Sequence, residues 1–347
     1  MLCALIMAGG KGTRFWPLST EDKPKQFLKL LSDDTMIQMT VKRIEKLIPM
    51  DRIFVCTGKG YVDLVREQLP YLPERNIIVE PEGRNTAPCI ALSAFIIKRY
   101  YENAAIAVLP SDHLIRDEEE FLQVLQCGNE FINDYTDAIV TLGMKPNRPE
   151  TGYGYIKIGN KEVCGKTNSI MKVDRFVEKP NYEKAEEYLM SGNYLWNGGM
   201  FIWKANNIIN LTKEYLSFTY KALKFIDDVS EDELQDLIDK NYEKVDNISV
   251  DYGIMERAES IYVIPCDFGW DDVGNWTSIE RYSDKDSMGN VFNAQGYLFK
   301  SNNNIVLTNK KILLNNINDL IIVETDDYIM ISSKIHEQDI KVAKEHL

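Results

Sequence analysis

Histidine is nearly missing from this 347-residue chain: there are three, at 113, 336 and 346. They are too few and too scattered to hold a metal as a histidine cluster. Cysteine is present but not in metal-binding or disulfide spacing. Six thiols, at 3, 56, 89, 127, 164 and 266, contain no Cys-x-x-Cys step. That argues against a zinc site and a disulfide scaffold, and suits a reducing compartment. Cys3, Cys56 and Cys266 lie within apolar runs and read as core. Positive charge is in deficit as well. A net charge of −13 and a pI near 4.9 offer no basic face for nucleic acid. No apolar run reaches the roughly 18 residues needed to cross a bilayer. No secretory pattern precedes the first apolar run. A cytoplasmic protein with neither nucleic-acid nor membrane partner is expected.

What is there is an ordinary globular composition, 44% apolar and 27% charged. The length suggests a large domain with an appendage. One stretch departs from the acidic average. Residues 1–29 carry five Lys/Arg against two acids. Leu2–Met7 reads as a buried strand, and Gly9, Gly10 and Gly12 follow it within four residues. Glycines at such a turn let backbone N–H groups approach a ligand, and local positive charge favours phosphate. The stretch is not a P-loop, because no Gly-Lys-Ser/Thr follows a four-residue spacer. Nor is it a dinucleotide fingerprint, since Phe15 stands where the third glycine belongs. Taken by themselves, the glycines fit a plain strand-to-helix turn equally well. Arg14, Lys25 and the Pro24-Lys25 step tip the reading towards phosphate.

The first 145 residues alternate strand and helix patterns. Arg52–Thr57, Asn76–Glu80, Ala105–Leu109 and Ala138–Leu142 are short, β-branched and apolar. Ile37, Val41, Ile44 and Ile48 mark one helical face, and Ile90, Ala91, Ala94, Ile97 and Tyr101 another. This predicts an α/β fold, a Rossmann-like mixed and mainly parallel sheet flanked by helices. Residues 8–14, 81–88 and 110–113 should then share the rim at the strands' carboxyl ends. Further strands are predicted over 151–158, 171–177, 198–203 and 260–266. Residues 227–239 hold seven acids and no base, a solvated helix or loop. After a linker-like stretch, 283–290, a small β-rich appendage is expected over 291–347, with no strong internal repeat.

The string Met7–Leu28 resembles the signature of the sugar-phosphate nucleotidyltransferases: a glycine loop, Gly12-Thr13-Arg14, Pro17-Leu18-Ser19 and Pro24-Lys25. Trp16 and Pro24-Lys25-Gln26 are similar to the mannose-1-phosphate guanylyltransferase branch. Four more motifs follow in the family's order, so that the resemblance covers residues 1–282. They are Glu80–Pro88, Leu109–His113, Val177–Pro180 with Trp196–Phe201, and Gly269–Gly274. The resemblance implies a nucleotidyltransferase catalytic domain over 1–282. It implies transfer of GMP from GTP to α-D-mannose 1-phosphate, giving GDP-mannose and pyrophosphate. Its tail often forms a left-handed β-helix, whose hexapeptide pattern is faint here, and a homodimer through 291–347 is expected. Some bacterial relatives continue into a cupin-like isomerase domain. This chain stops before it, so transferase activity alone is expected.

The reaction shapes the site that the resemblance implies. The attacking sugar phosphate is already an anion, so no general base is needed and positioning dominates. Arg14 and Lys25, placed on a solvent-facing loop, would stabilise the triphosphate and departing pyrophosphate. Lys179 would orient the attacking phosphate. Asp112 and Asp272 would hold Mg²⁺, with Asp271 the adjacent alternative. Ala8, Gly9, Gly10, Lys11, Gly12, Thr13 and Ser111 would bind the nucleotide. Glu80, Asn85, Thr86 and Ala87 would do so at its base. Gly154, Glu178 and Asn197 would bind the sugar. Each residue also has a plainer use. Asp112 fits a cap, Glu178–Lys179 a surface ion pair, Pro88 a helix start, and Tyr153 and Tyr155 core packing. A heptose 1-phosphate acceptor, a non-catalytic regulatory subunit and an NAD-dependent oxidoreductase are the competing functions.

Overall fold

The computed structural model describes residues 1–164 and 169–347, with backbone alone for 160–164. Cys164 therefore lies outside the described side chains. The chain forms two compact units. The first comprises 1–9, 40–111 and 115–271, and the second comprises 10–39, 112–114 and 272–347.

The first unit is built on nine strands. In chain order these are β1 (Leu2–Met7), β2 (Ile53–Gly58), β3 (Ile77–Glu80), β4 (Ala105–Pro110), β5 (Ile139–Met144), β6 (Gly154–Cys164), β7 (Ser169–Val177), β8 (Tyr194–Lys204) and β9 (Ile261–Cys266). The helices of the first half are α1 (Met36–Ile44), α2 (Val62–Gln68), α3 (Thr86–Tyr100) and α4 (Glu118–Asp134). The sheet order is β3-β2-β1-β4-β8-β5-β9-β7-β6. Strands β1 to β4 pair in parallel, as the alternating pattern predicts. The expectation of a mainly parallel sheet is corrected beyond them. Strand β8 enters between β4 and β5 antiparallel to both, and β6 and β7 add further antiparallel pairs. The sheet is mixed. Apolar periodicity reports which face of a strand is buried, not which way its neighbour runs.

Parallel pairing sets the carboxyl ends of β1 and β4 side by side, with Met7 opposite Pro110. Glu80 likewise ends β3 opposite Gly58. Helix α3 is apolar all round and buried from Ala87 to Ile97, so it acts as a core element. It packs with Phe54, Phe201, Trp203 and Leu223 in the unit's main core.

The second unit has its own core. Val291, Ile305, Ile321 and Val323 of the tail pack with Phe15, Leu28, Met36, Leu114, Val273 and Trp276. Phe15 meets Trp276 edge-on at 5.2 Å. The tail thus shares a core with the phosphate-loop segment. Its strands are β10 (Val291–Phe292), β11 (Gly296–Phe299), β12 (Ile305–Leu307), β13 (Ile312–Asn315), β14 (Leu320–Glu324) and β15 (Ile329–Ser333). Val291 pairs in parallel with Ile305, Ile305 with Ile321, and Gly296 with Ile312. The chain therefore coils, advancing 14 to 16 residues per rung (305 − 291, 321 − 305, 312 − 296). The rungs repeat in pairing, in a tail whose sequence is expected to carry no strong internal repeat. Asparagines tie the rungs: Asn304 Nδ2 donates to Asn290 Oδ1 at 3.0 Å, and Asn302 Nδ2 to Asn318 Oδ1 at 3.1 Å. Polar rung contacts leave no hexapeptide of apolar residues to read.

Candidate functional site

In the second unit the predicted phosphate residues gather around Lys25. Its Nζ lies 2.8 Å from Asp112 Oδ2 and donates to the Asp272 carbonyl at 2.5 Å. The expectation that Lys25 faces solvent is wrong, because it is 5% exposed. A buried ammonium needs a counter-charge, and Asp112 supplies it. Burial pushes the Asp112 carboxyl up, but the Lys25 and His113 charges outweigh it and hold the group below its ordinary value. The glycine loop closes on the same lysine. Gly12 has φ of 42°, and a Cβ there would stand 2.8 Å from Lys25 N, so no side chain fits. Gln26 Nε2 donates to the Gly10 carbonyl at 2.9 Å, pinning the loop.

Arg14 belongs to this cluster. A Cβ built on Gly274 would lie 2.8 Å from Asp272 Oδ2 and 3.2 Å from Arg14 Nη1, so both side chains reach over that glycine. Arg14 is exposed and Asp272 half-buried. Thr13 opens the 3₁₀ turn Thr13–Phe15. Lys11 instead pairs with Glu21 at 3.6 Å on the surface. The two carboxylates of Asp112 and Asp272 make an oxygen donor set. Hard divalent cations are commonly held by one or two carboxylates with substrate phosphates and water. The residues present fit such a cation, which would take over the charge that Lys25 now balances. Asp271 is 3% exposed and Asp272 the more accessible of the pair.

The first unit holds the other predicted residues in two groups. At the ends of β1, β3 and β4, Ala8 and Ser111 are buried. Ala8 N donates to the Cys56 carbonyl at 2.8 Å, and Ser111 N to the Met7 carbonyl at 3.2 Å. Asn85 caps α3, its Oδ1 accepting from Thr86 N at 2.9 Å. Thr86 Oγ1 accepts from Val250 N at 2.8 Å, and Ala87 N donates to the Ile248 carbonyl at 3.2 Å. Asn85 thus serves as the helix cap, a use the sequence reading did not assign to it, and stays exposed on the loop.

The second group brings together the predicted sugar residues. A Cβ on Gly154 would collide with Glu178 Oε2 at 2.5 Å and meet Asn197 Cβ at 3.4 Å. Glu178 pairs with Lys179 at 2.9 Å, and that contact raises the lysine's affinity for its proton. Asn197 Oδ1 accepts from Gly199 N at 3.0 Å, while Nδ2 donates to Asp251 Oδ1 at 2.7 Å. Asp251 was missed by sequence reasoning. It opens the π-helical turn Asp251–Met255, a local form common at functional sites. Burial first, then the Glu178 charge, pushes its carboxyl up to about 6, with Asn197 and Lys179 offsetting part. Tyr155 is fully buried, as core packing predicts. Tyr153 meets Trp196 and Trp270 edge-on at 5.3 and 5.1 Å.

Positive φ occurs at three motif residues, as it does at Lys300, Asn303, Asn316 and Asp319 of the tail. Asn85, Lys179 and Val273 have φ of 71°, 43° and 46°. A branched residue such as Val273 at positive φ is a true outlier. Strain of this kind, of order 1–3 kcal/mol, persists where the surroundings over-determine it and clusters at functional loops.

These motifs match a known family. The family model for nucleotidyl transferases fits residues 3–288. The chain belongs to the nucleotidyl transferase family. It is 36% identical to a mannose-1-phosphate guanylyltransferase of Klebsiella pneumoniae, across 100% of this chain and 74% of the relative. It is 37% identical to a mannose-1-phosphate guanylyltransferase of Salmonella typhimurium, across 99% of this chain and 72% of the relative. A solved structure from Thermus thermophilus, described as a mannose-1-phosphate geranyltransferase, superposes with a TM-score of 0.86 at 31% identity. The match covers 99% of this chain and 98% of that one. Among the described residues, no helix is long and apolar enough to cross a membrane.

Proposed function

We propose that this chain transfers GMP from GTP to α-D-mannose 1-phosphate, as its relatives' names suggest. The observation that carries the mechanism is the buried lysine joined to Asp112 and the Asp272 backbone. A sugar-phosphate oxygen attacks the α-phosphorus of GTP. The α–β bridging P–O bond breaks, and its electron pair leaves with pyrophosphate. Lys25 and Arg14 stabilise the charge gathering on the leaving group. Lys179 steers the attacking phosphate, and Gly154, Glu178, Asn197 and Asp251 receive the sugar hydroxyls. The loop Glu80–Ala87, with the glycine loop and Ser111, receives the nucleotide, Glu80 through its backbone because its carboxylate is buried and bonded to Tyr242. Mg²⁺ held by Asp112 and Asp272 would neutralise charge on the phosphate oxygens. Incubating the protein with GTP, mannose 1-phosphate and Mg²⁺ tests this. GDP-mannose and pyrophosphate should appear in equal amounts, and failure to form GDP-mannose at saturating substrates overturns it.

The same reading places the protein in the cytoplasm as a homodimer formed through 291–347. Tyr297, Phe299, Leu313, Ile329, Ile331 and Ile335 are exposed there, and apolar side chains grouped at a surface are the material of a subunit contact. Deleting the tail would break a shared core, so Leu313→Asp with Ile331→Asp is the cleaner test. Sedimentation should show a dimer that becomes a monomer in the double variant. A wild-type monomer at micromolar concentration removes the idea.

A further inference from the structure

Cys56, Glu80 and Cys89 stand far apart in sequence, yet the fold converges them. Cys56 lies in β2, Glu80 ends β3, and Cys89 sits in the first turn of α3. Their ligand atoms, two Sγ and one carboxylate oxygen, all lie within 4.8 Å of one another. All three are buried, at 0%, 4% and 5% exposure for Cys56, Glu80 and Cys89. The Tyr242 hydroxyl donates to Glu80 Oε1. Among the described residues, no Lys, Arg or His forms an ion pair with Glu80. Buried carboxylates are ordinarily paired with a cation or bound to a metal.

We propose that Cys56, Glu80 and Cys89 form a binding site for a thiophilic d¹⁰ cation of the zinc and cadmium class. Two sulfurs and one oxygen suit such a cation, whereas a hard cation prefers oxygen alone. Zinc–sulfur bonds of about 2.3 Å place tetrahedral ligands about 3.8 Å apart, so the observed cluster needs only a small contraction. The Tyr242 hydroxyl, bonded to the carboxylate, orients that ligand from behind. Without a cation the thiols and phenol share their protons with Glu80. Burial pushes the Cys56 thiol and the Glu80 carboxyl up, and the neighbouring Cys56 thiol, with burial, pushes Cys89 up further. On binding, the cation replaces both thiol protons, which pass to solvent. No electron is transferred.

The site shares no ligand with the oxygen donors Asp112 and Asp272. Its occupancy can be read without turnover, so its failure leaves guanylyl transfer untouched. The test is Cd²⁺ titration of the reduced full chain in excess Mg²⁺, followed by the sulfur-to-cadmium charge-transfer absorption. One Cd²⁺ per chain should bind with release of at least two protons. Cys56→Ser and Cys89→Ser should each lose the absorption, while Cys127→Ser, a buried thiol elsewhere, should keep it. X-ray absorption of the zinc-loaded wild type supplies a reading that needs no variant, and should show two sulfur ligands. Absence of the charge-transfer band, its survival in Cys56→Ser, or a zinc shell without sulfur would overturn the proposal.

Discussion

Two aspartates show how neighbours set the job of a side chain. In the second unit, Asp112 faces the buried Lys25 and is held below its ordinary value. In the first, Asp251 faces Glu178, and burial with that like charge pushes it up to about 6. The first carboxylate is kept charged across the whole working range, as a group that neutralises cations must be. The second sits near the edge of ionisation, hydrogen-bonded to Asn197 in the sugar group. On the proposed reading, phosphate chemistry asks for fixed charge and hydroxyl recognition for placed acceptors, and the two carboxylates differ in this respect.

The sharpest way to break that contrast is to remove the lysine. Lys25→Ala should lower kcat by about 10²–10³, the usual loss for a group acting on transition-state charge. The structure adds a stability cost. The lysine side chain is 6% exposed and its partner 29%, between the surface case of about 0–1 kcal/mol and the buried case of about 3–5. A cost of about 1–3 kcal/mol, seen as a lower Tm, should accompany the rate loss. Near-normal turnover would make Lys25 a structural cation only.

Next in size is the coupling of the carboxylates. If Asp112 and Asp272 hold one cation, Asp112→Asn and Asp272→Asn should each raise the Mg²⁺ needed for half-maximal rate. The double variant should then be little worse than either single one, because groups acting as a unit are non-additive. Additive losses, or unchanged Mg²⁺ dependence in Asp272→Asn, would remove Asp272 from the cation site. The other region should leave Mg²⁺ dependence alone throughout.

Much of this was legible from sequence, and the parts that were not share a cause. The glycine loop and Lys25 are read as a phosphate site from residue chemistry, Asp112 and Asp272 come from the family resemblance, and the fold brings Lys25, Asp112 and Asp272 together. Gly154, Glu178 and Asn197 were likewise foreseen as one group. Asp251 was not, because Val250-Asp251-Tyr252 carries no spacing signal and acts through a π-helical turn. The Cys56–Glu80–Cys89 cluster was hidden for a similar reason: its members are 24 and 9 residues apart and meet only through β2, β3 and α3. Lys25 was misread as exposed, since a lysine is rarely buried without a partner and its partner lies 87 positions away. The antiparallel entry of β8 and the coil of the tail are pairing directions and registers. Apolar patterns do not encode either.

A smaller effect is expected at Asp251. Asp251→Asn should raise KM for mannose 1-phosphate by about three- to tenfold, less than the loss of a full charged hydrogen bond at about 1.5–3 kcal/mol. KM for GTP should stay unchanged. In the wild type, kcat/KM for the sugar should fall as pH drops through about 6 and the carboxylate protonates; the variant should lose that limb. Stability runs the other way. The folded carboxyl binds its proton more tightly than an unfolded one near 3.9. Its contribution is therefore full below that value and lost as pH rises through about 6, and Asp251→Asn should flatten the slope in urea midpoints. An unchanged pH profile would leave Asp251 a partner of Asn197 alone.

Guanylyl transfer to a manno-configured sugar phosphate is the reading on which both regions depend. Pyrophosphate release should be measured for GTP, ATP, UTP, CTP and dTTP, each with mannose, glucose and heptose 1-phosphates. The highest kcat/KM is predicted for GTP with mannose 1-phosphate. A clear preference for dTTP or UTP with glucose 1-phosphate would contradict it.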